Sequence, residues 1–284
     1  MAFLRPTRLD EALGALEAGG PGGAPWVIVA GATDHYPARV GRAPQEDILD
    51  VTAIGRLAEI TEVDGGWRIG SLVTWEELAG ADLPPLFDGL RAAALTIGGR
   101  QIQARATVVG NVCNASPAAD GMPNLLALDA QVELSSGSGA RIVPVGSFVT
   151  GNRRTVRRHD ELVTGLFVPD ALPGTTVRST FEKLGSRAYL VISIAMVASV
   201  LEIDDAQRIR RGRVAVGACS EVAQRLPALE ADLVGRPATA SIGDVVRAEH
   251  LAELQPIDDV RGSAAYRRDV AAELVRRAIA RAVA

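Results

Sequence analysis

The chain has 284 residues, 48% of them hydrophobic, enough for a sizeable core and, on length, for about two domains. With 30 basic against 34 acidic side chains the formal net charge is −4, so the basic footprint of a general nucleic-acid binder is missing. No apolar run approaches the roughly 20 residues that span a bilayer, Met1 to Arg8 reads as neither a signal peptide nor a twin-arginine leader, and Cys113 and Cys219 make no disulfide framework, so a reducing cytoplasm is the expected home.

Thr7 and Asp10 have capping-box spacing, and Leu9, Ala12, Leu13 and Leu16 follow at helical intervals, which predicts a helix stopped by Gly19-Gly20. Gly19 to Gly23 lacks the Lys-Ser/Thr of a phosphate loop and reads as a turn. Pro25 to Ala30 is a short buried strand that ends in Ala30-Gly31-Ala32-Thr33-Asp34. Gly31 permits a tight turn there, consecutive N–H groups can face anionic oxygens, and Thr33 adds a hydroxyl donor. Asp34 either touches a ligand or makes the turn after the strand.

Ile48 to Val51 reads as a strand, and Ile60–Val63 and Trp67–Gly70 flank Asp64-Gly65-Gly66 as a hairpin. Thr74 and Glu77 form a capping box for a short helix, and Leu86 to Ala94 is another. Trp67 and Trp75 read as packing groups. From Ile97 to Asp120 the chain carries glycines and small polar residues, the composition of a segment that lays its backbone against a ligand; an ordinary long surface loop is the alternative.

These two segments carry a resemblance. Ile97-Gly98, Gln101-Ile102, Thr107, Gly110-Asn111, Ala115-Ser116-Pro117 and Asp120, with Ala30-Gly31-Ala32-Thr33-Asp34 about 75 residues upstream, resemble the two flavin-binding motifs of the FAD-binding medium subunits of molybdenum hydroxylases, the flavoprotein of carbon monoxide dehydrogenase and the related domain of xanthine dehydrogenase. Glycines usual in that family are replaced by Ala32, Ala106 and Val109. Of these Val109 looks the most serious, because a β-branched residue resists positive φ and adds bulk beside the expected pyrophosphate.

Further along, Met122 to Leu128 reads as an apolar helix beneath that segment, and Gln131–Leu134 with Ala140–Val143 as a hairpin. Arg153, Arg154, Arg157, Arg158 and His159 form a basic run, either a solvated loop or a docking patch for an acidic partner subunit. Glu161 to Val168 is a strand, and Pro169 to Gly174 marks a boundary. Thr176 to Lys183 alternates like a strand, Ser193–Ile203 and Arg210–Ala218 look antiparallel, and helical segments follow around Val222–Leu233, Ile242–Val246 and Ser263–Val283. The last of these resembles the family's amphipathic final helix, with Val270, Leu274 and Val275 inward.

Lys183 is the only lysine, against 29 arginines. A compact ammonium is something arginine cannot replace. Phe181-Glu182-Lys183 also resembles the family segment whose lysine lies at the flavin, where a fixed positive charge would favour the reduced ring and raise its potential.

The resemblance implies an α+β chain: a two-lobed FAD-binding PCMH-type domain over 1–172, with lobes of roughly 1–55 and 56–172, then a smaller α+β C-terminal domain over 173–284 made of an antiparallel sheet plus helices. It implies non-covalent FAD held by Val29, Ala30, Gly31, Ala32, Thr33, Asp34 and His35 from the first motif. From the second it implies Ile97, Thr107, Val109, Gly110, Asn111, Ser116 and Asp120, with Val163 and Lys183 completing the set. His35 is expected to line the site without bonding covalently, and Tyr189 is a weaker candidate for the ring's edge. The implied partners are a small subunit with [2Fe–2S] clusters and a large molybdopterin subunit, in a dimer of heterotrimers. The chain lacks the cysteine set for an iron–sulfur cluster of its own, and its three histidines and two cysteines suggest no zinc or molybdenum site. Two rival readings are a self-sufficient flavin oxidase, for which the roughly 110 residues after Gly174 look too few, and a scaffold subunit with a decayed flavin site.

Overall fold

The computed structural model describes residues 1–41 and 45–284. The N-terminal lobe carries β1 (Phe3–Leu4), α1 (Leu9–Ala18), β2 (Val27–Val29) and β3 (Ile48–Asp50), with the strands in a parallel sheet of order β1-β3-β2. Helix α1 buries Ala12 and Leu16, which pack with Trp26, Leu49, Val51 and Ile54 into a small core. The expected capping box at its start does not form. Arg8 is the N-cap residue, its guanidinium holds Asp10, and Thr7 N donates to Glu11 instead.

The second lobe runs β4 (Ile60–Val63), β5 (Gly66–Gly70), α2 (Trp75–Gly80), α3 (Asp88–Ala94), α4 (Arg100–Gln103), α5 (Val108–Asn114), α6 (Gly121–Ala127), β6 (Gln131–Ser136), β7 (Gly139–Pro144), α7 (Val145–Phe148), β8 (Val149–Gly151), β9 (Arg154–Thr155) and β10 (Leu162–Pro169). Five of these strands form an antiparallel sheet of order β4-β5-β10-β6-β7. The capping box at Thr74 is present: Thr74 Oγ1 accepts from Glu77 N, and Glu77 Oε2 accepts from Thr74 N at 2.8 Å. The stretch from 97 to 120 is not an extended loop. It winds into α4 and α5, and Val108, Val109 and Val112 enter the largest core beside Trp75, Leu90 and Leu125. The pattern was obscured because two short helices separated by a capping threonine leave too few turns for a periodicity to show.

Four more strands complete the chain, β11 (Thr176–Leu184), β12 (Ala195–Ile203), β13 (Ile209–Gly217) and β14 (Gln224–Arg225), in an antiparallel sheet in that order, with α8 (Pro227–Leu233) and α9 (Ala264–Arg281). The expected helix around Val222–Leu233 is in part strand: Gln224-Arg225 pairs with β13, and Pro227 then opens α8. All nine residues of β12 are buried, because the sheet packs on both faces. Met196, Ala198 and Val200 join the second lobe's core, while Val197, Leu201 and Ile203 meet α8 and α9. A strand covered on both sides reads as a near-continuous apolar run, as Ala195 to Leu201 does with Ser199 as its one polar residue. Ser193, at the start of the predicted strand, lies just outside it. Ser263 caps α9 by accepting from Tyr266 N, and Leu274 and Val275 point inward with Val270 at the margin. The two parts are stitched together by Ser179, whose hydroxyl accepts from Gly89 N and donates to Pro85 O. No helix among the described residues is long and apolar enough to cross a membrane.

Candidate functional site

A cleft of about 630 Å³ opens between the first and second lobes, a size typical of small-molecule and cofactor sites. One wall is the end of β2 and the turn after it. The other is the segment leading through Ile97 and Ala106 into α5, with Val163 of β10 at the base. Parallel strands end their runs at a sheet edge where loops are free to meet a ligand, and β2 delivers Ala30 to His35 to that edge.

Gly31 is where the two walls touch. A Cβ there would stand 2.0 Å from the Arg105 carbonyl oxygen and 2.9 Å from Ala106 Cα, so no other residue allows the approach. The next residue, Ala32, has φ of +58°, the left-handed region where glycine is at ease. No backbone carbonyl among the described residues engages the N–H groups of Gly31 to His35. On the facing wall Thr107 caps α5, its Oγ1 accepting from Gly110 N at 2.9 Å. Thr107 bridges to Thr74, Trp75 N donates to Ala106 O and Val108 N to Val73 O, so the starts of α2 and α5 are locked side by side. Val109 sits in the first turn of α5 with ordinary helical φ. The backbone half of the expected conflict is therefore misplaced, since the residue held in a glycine-like conformation is Ala32, while the Val109 side chain does stand in the lining of the cleft.

At the mouth, Arg153 spans the lobes. Its Nη1 donates to Asp34 Oδ2 at 2.6 Å and to Asn114 Oδ1, and its backbone N donates to Ala115 O. Hydrogen bonding from Arg153, more than any other cause, holds the Asp34 carboxyl below its ordinary value. Burial, then the charge of Arg39, pushes the His35 imidazole below its ordinary value, against the pull of Glu46 and Asp34, and His35 lines the cleft. The basic run is thus largely claimed by the protein itself. Arg154 pairs with Glu221, Arg158 with Glu161, and Arg157 donates to the carbonyls of Arg158 and Glu161.

Of the residues expected at the site, Val29 to His35, Ile97, Thr107, Val109, Gly110, Asn111 and Val163 line this one cleft. Ser116, Asp120 and Lys183 do not. Lys183 Nζ lies 2.6 Å from Asp120 Oδ2, and Ser193 Oγ donates to Asp120 Oδ1 at 2.5 Å. Burial raises the Asp120 carboxyl from its ordinary value, against the pull of Lys183 and Ser193. The trio backs onto one end of the cleft: Lys183 Nζ reaches toward Thr96 O, next to Ile97, and Asp120 precedes Gly121, against which Asn111 packs. Tyr189 is exposed on the loop before β12.

Sequence reasoning passed over Ser71, Trp75, Asn114 and Arg153 as site residues. Trp75 is a core residue, as expected, but its indole N–H has no partner, and neither do Ser71 Oγ and Asn111 Oδ1, all three in residues lining the cleft. Those three atoms are shut off from the open cleft, so the fit of a dinucleotide rests on the other wall, where the N–H groups of Gly31 to His35 have no backbone carbonyl partner among the described residues.

Residues 1–171 match the family model described as the FAD binding domain in molybdopterin dehydrogenase, and residues 180–282 match the CO dehydrogenase flavoprotein C-terminal domain. The chain is 31% identical to the carbon monoxide dehydrogenase medium chain of Afipia carboxidovorans, over 99% of this chain and 96% of that one. It is 29% identical to the glyceraldehyde dehydrogenase medium chain of Sulfolobus acidocaldarius, over 98% and 96%. Its fold superposes on reconstituted CO dehydrogenase from Oligotropha carboxidovorans with a TM-score of 0.88 at 26% identity, covering 100% of this chain and 97% of the other. The chain belongs to the FAD-binding medium subunits of the molybdenum hydroxylases, an oxidoreductase family.

Proposed function

We propose that FAD lies extended in the cleft between the lobes, bound without a covalent link. The turn from Gly31 to Asp34 and the segment from Thr107 to Asn111 close on its diphosphate, and Val29, Ala30, His35, Ile97, Val109 and Val163 shape the walls. The unclaimed N–H groups after β2 are the single observation that carries this reading. The residues that carry them line the cleft opposite the wall that Thr107 caps and the start of α2 holds in place. When bound, FAD supplies the exchange between one-electron and two-electron carriers. The chain's own residues bind it, keep water from its buried side and set the field around it.

Ser116 lies outside the lining with its Oγ accepting from Ala118 N, and Asp120 and Lys183 belong behind the ring end rather than in the cleft. There the Lys183 ammonium acts with Asp120 as a nearly compensated pair, so its field at the ring is weaker than that of a lone cation. The domain division at 172/173 is supported by the segments 1–171 and 180–282 matched by two separate models. On this reading the chain works beside a small [2Fe–2S] subunit and a large molybdopterin subunit, in a cytoplasmic dimer of heterotrimers. The names "medium chain" and "FAD-binding subunit" carried by its relatives support a multi-subunit setting.

The test is bleaching of the bound flavin under anaerobic conditions, with substrate supplied to the chain alone and to the chain with both partner subunits. The reading expects bleaching only with the partners present. Bleaching of the chain alone by an organic substrate would make it a self-sufficient oxidase.

A further inference from the structure

Arg153 stands at a backbone position that suits another residue. The hairpin of β8 and β9 turns on Asn152 and Arg153, and Arg153 has φ of +59°, the left-handed region that glycine and asparagine occupy readily. A long side chain held there carries a backbone cost that the surrounding structure must offset.

The turn is anchored on two sides. Arg153 N donates at 2.9 Å to the carbonyl of Ala115, itself the left-handed residue that ends α5, with φ of +49°. Asn152 N donates at 3.2 Å to Glu221 Oε1, which also accepts from Arg154 Nη2 at 2.9 Å. With the main chain fixed, the guanidinium crosses the mouth of the cleft. Its Nη1 donates to Asp34 Oδ2 at 2.6 Å and to Asn114 Oδ1, and its Nη2 to Asp34 Oδ1 at 3.3 Å. Asp34 belongs to the turn after β2 and Asn114 to the last turn of α5, so one side chain joins the two walls, and all three residues line the cleft.

An ion pair this exposed, with side chains 54% and 50% open to solvent, contributes little to folding. Its position across the opening is what sets it apart. A carboxylate at the entrance to a diphosphate site would repel the ligand, and Arg153 supplies the compensating charge.

We propose that Arg153 is a positioning residue that straps the two walls together over the bound cofactor, and that breaking its link to Asp34 opens the way by which FAD leaves. This rests on the FAD reading above and adds what retains the cofactor.

Release of FAD from the full chain tests it, followed as recovery of flavin fluorescence after dilution. Arg153→Met and Asp34→Asn are each expected to speed release about 5-fold, and the two together no more than either alone, because both remove the same link. Rising salt is expected to speed release from the wild type more steeply than from either variant, since screening weakens an exposed pair. The thermal midpoint of the cofactor-free chain, which a purely structural role would lower, is expected to stay in place. Release unchanged in either variant overturns the proposal, as do effects that multiply in the double variant or salt slopes that match. Slower release from Asp34→Asn also overturns it, because Arg153 would then be a direct ligand of the diphosphate that Asp34 restrains. Flavin fluorescence unaltered by the folded wild-type chain overturns the FAD reading and this inference with it.

Discussion

At the scale of single residues, the lone lysine was legible as special, but its partner was not. Composition showed that one ammonium survives among 29 arginines. The structure shows why a carboxylate had to come with it, since Lys183 and Asp120 are both nearly buried, with side chains 10% and 8% exposed. Removing one member of such a pair leaves an uncompensated charge. Lys183→Met is therefore expected to lower stability by about 3 kcal/mol, and Lys183→Met with Asp120→Asn to recover most of that loss, as read by urea unfolding. Equal stability of the single variant and the wild type would show that the pair contributes nothing. The two unusual residues of the flavin motifs also exchange roles. Side-chain shape points to Val109 as the problem, whereas the left-handed backbone falls on Ala32. A backbone dihedral is set by where two lobes meet, and that is not written in any one segment.

At the scale of elements, local signals were read well wherever they were self-contained. The capping box at Thr74, the hairpin across Asp64 to Gly66, the final helix from Ser263 and the strands β11 to β13 each rest on neighbours in sequence. Short pieces whose partners lie elsewhere were read poorly. Helix α5 is held by the start of α2, and β14 is a strand because β13 is beside it. The final helix has an anchor that composition hid. Buried Arg267 donates to the carbonyls of Ile194 and Ala218 and pairs with Asp259. The Asp259 carboxyl is held down to about 2, first by the Arg261 backbone N–H and then by its arginine partners. A carboxyl whose folded value is depressed contributes stability above its unfolded value of 3.8 and loses it as pH falls toward about 2. The thermal midpoint is therefore expected to drop over that interval, with a shallower slope in Asp259→Asn. Identical slopes in the two proteins would remove Asp259 from the account.

At the scale of the molecule, the buried residues form three clusters, and the cleft lies where the first two lobes face each other. Its position follows from the topology: a parallel sheet presents the turn after β2, and the antiparallel lobe presents the segment leading into α5. Contact between the lobes is made through Gly31 on the Arg105 carbonyl, and Arg153 ties Asp34 to Asn114 across the mouth. Motif spacing signalled the first contact. The second involves residues 119 positions apart and left no mark in the sequence. The central claim is that this junction binds FAD, and titration of the cofactor-free chain with FAD, followed by flavin fluorescence, tests it most directly. The account predicts saturation at one FAD per chain, full release of the flavin on acid precipitation, and about tenfold or weaker binding when Gly31→Ala forces the walls apart. A folded wild-type chain that leaves flavin fluorescence unchanged, or a Gly31→Ala variant that binds FAD as tightly, would contradict it.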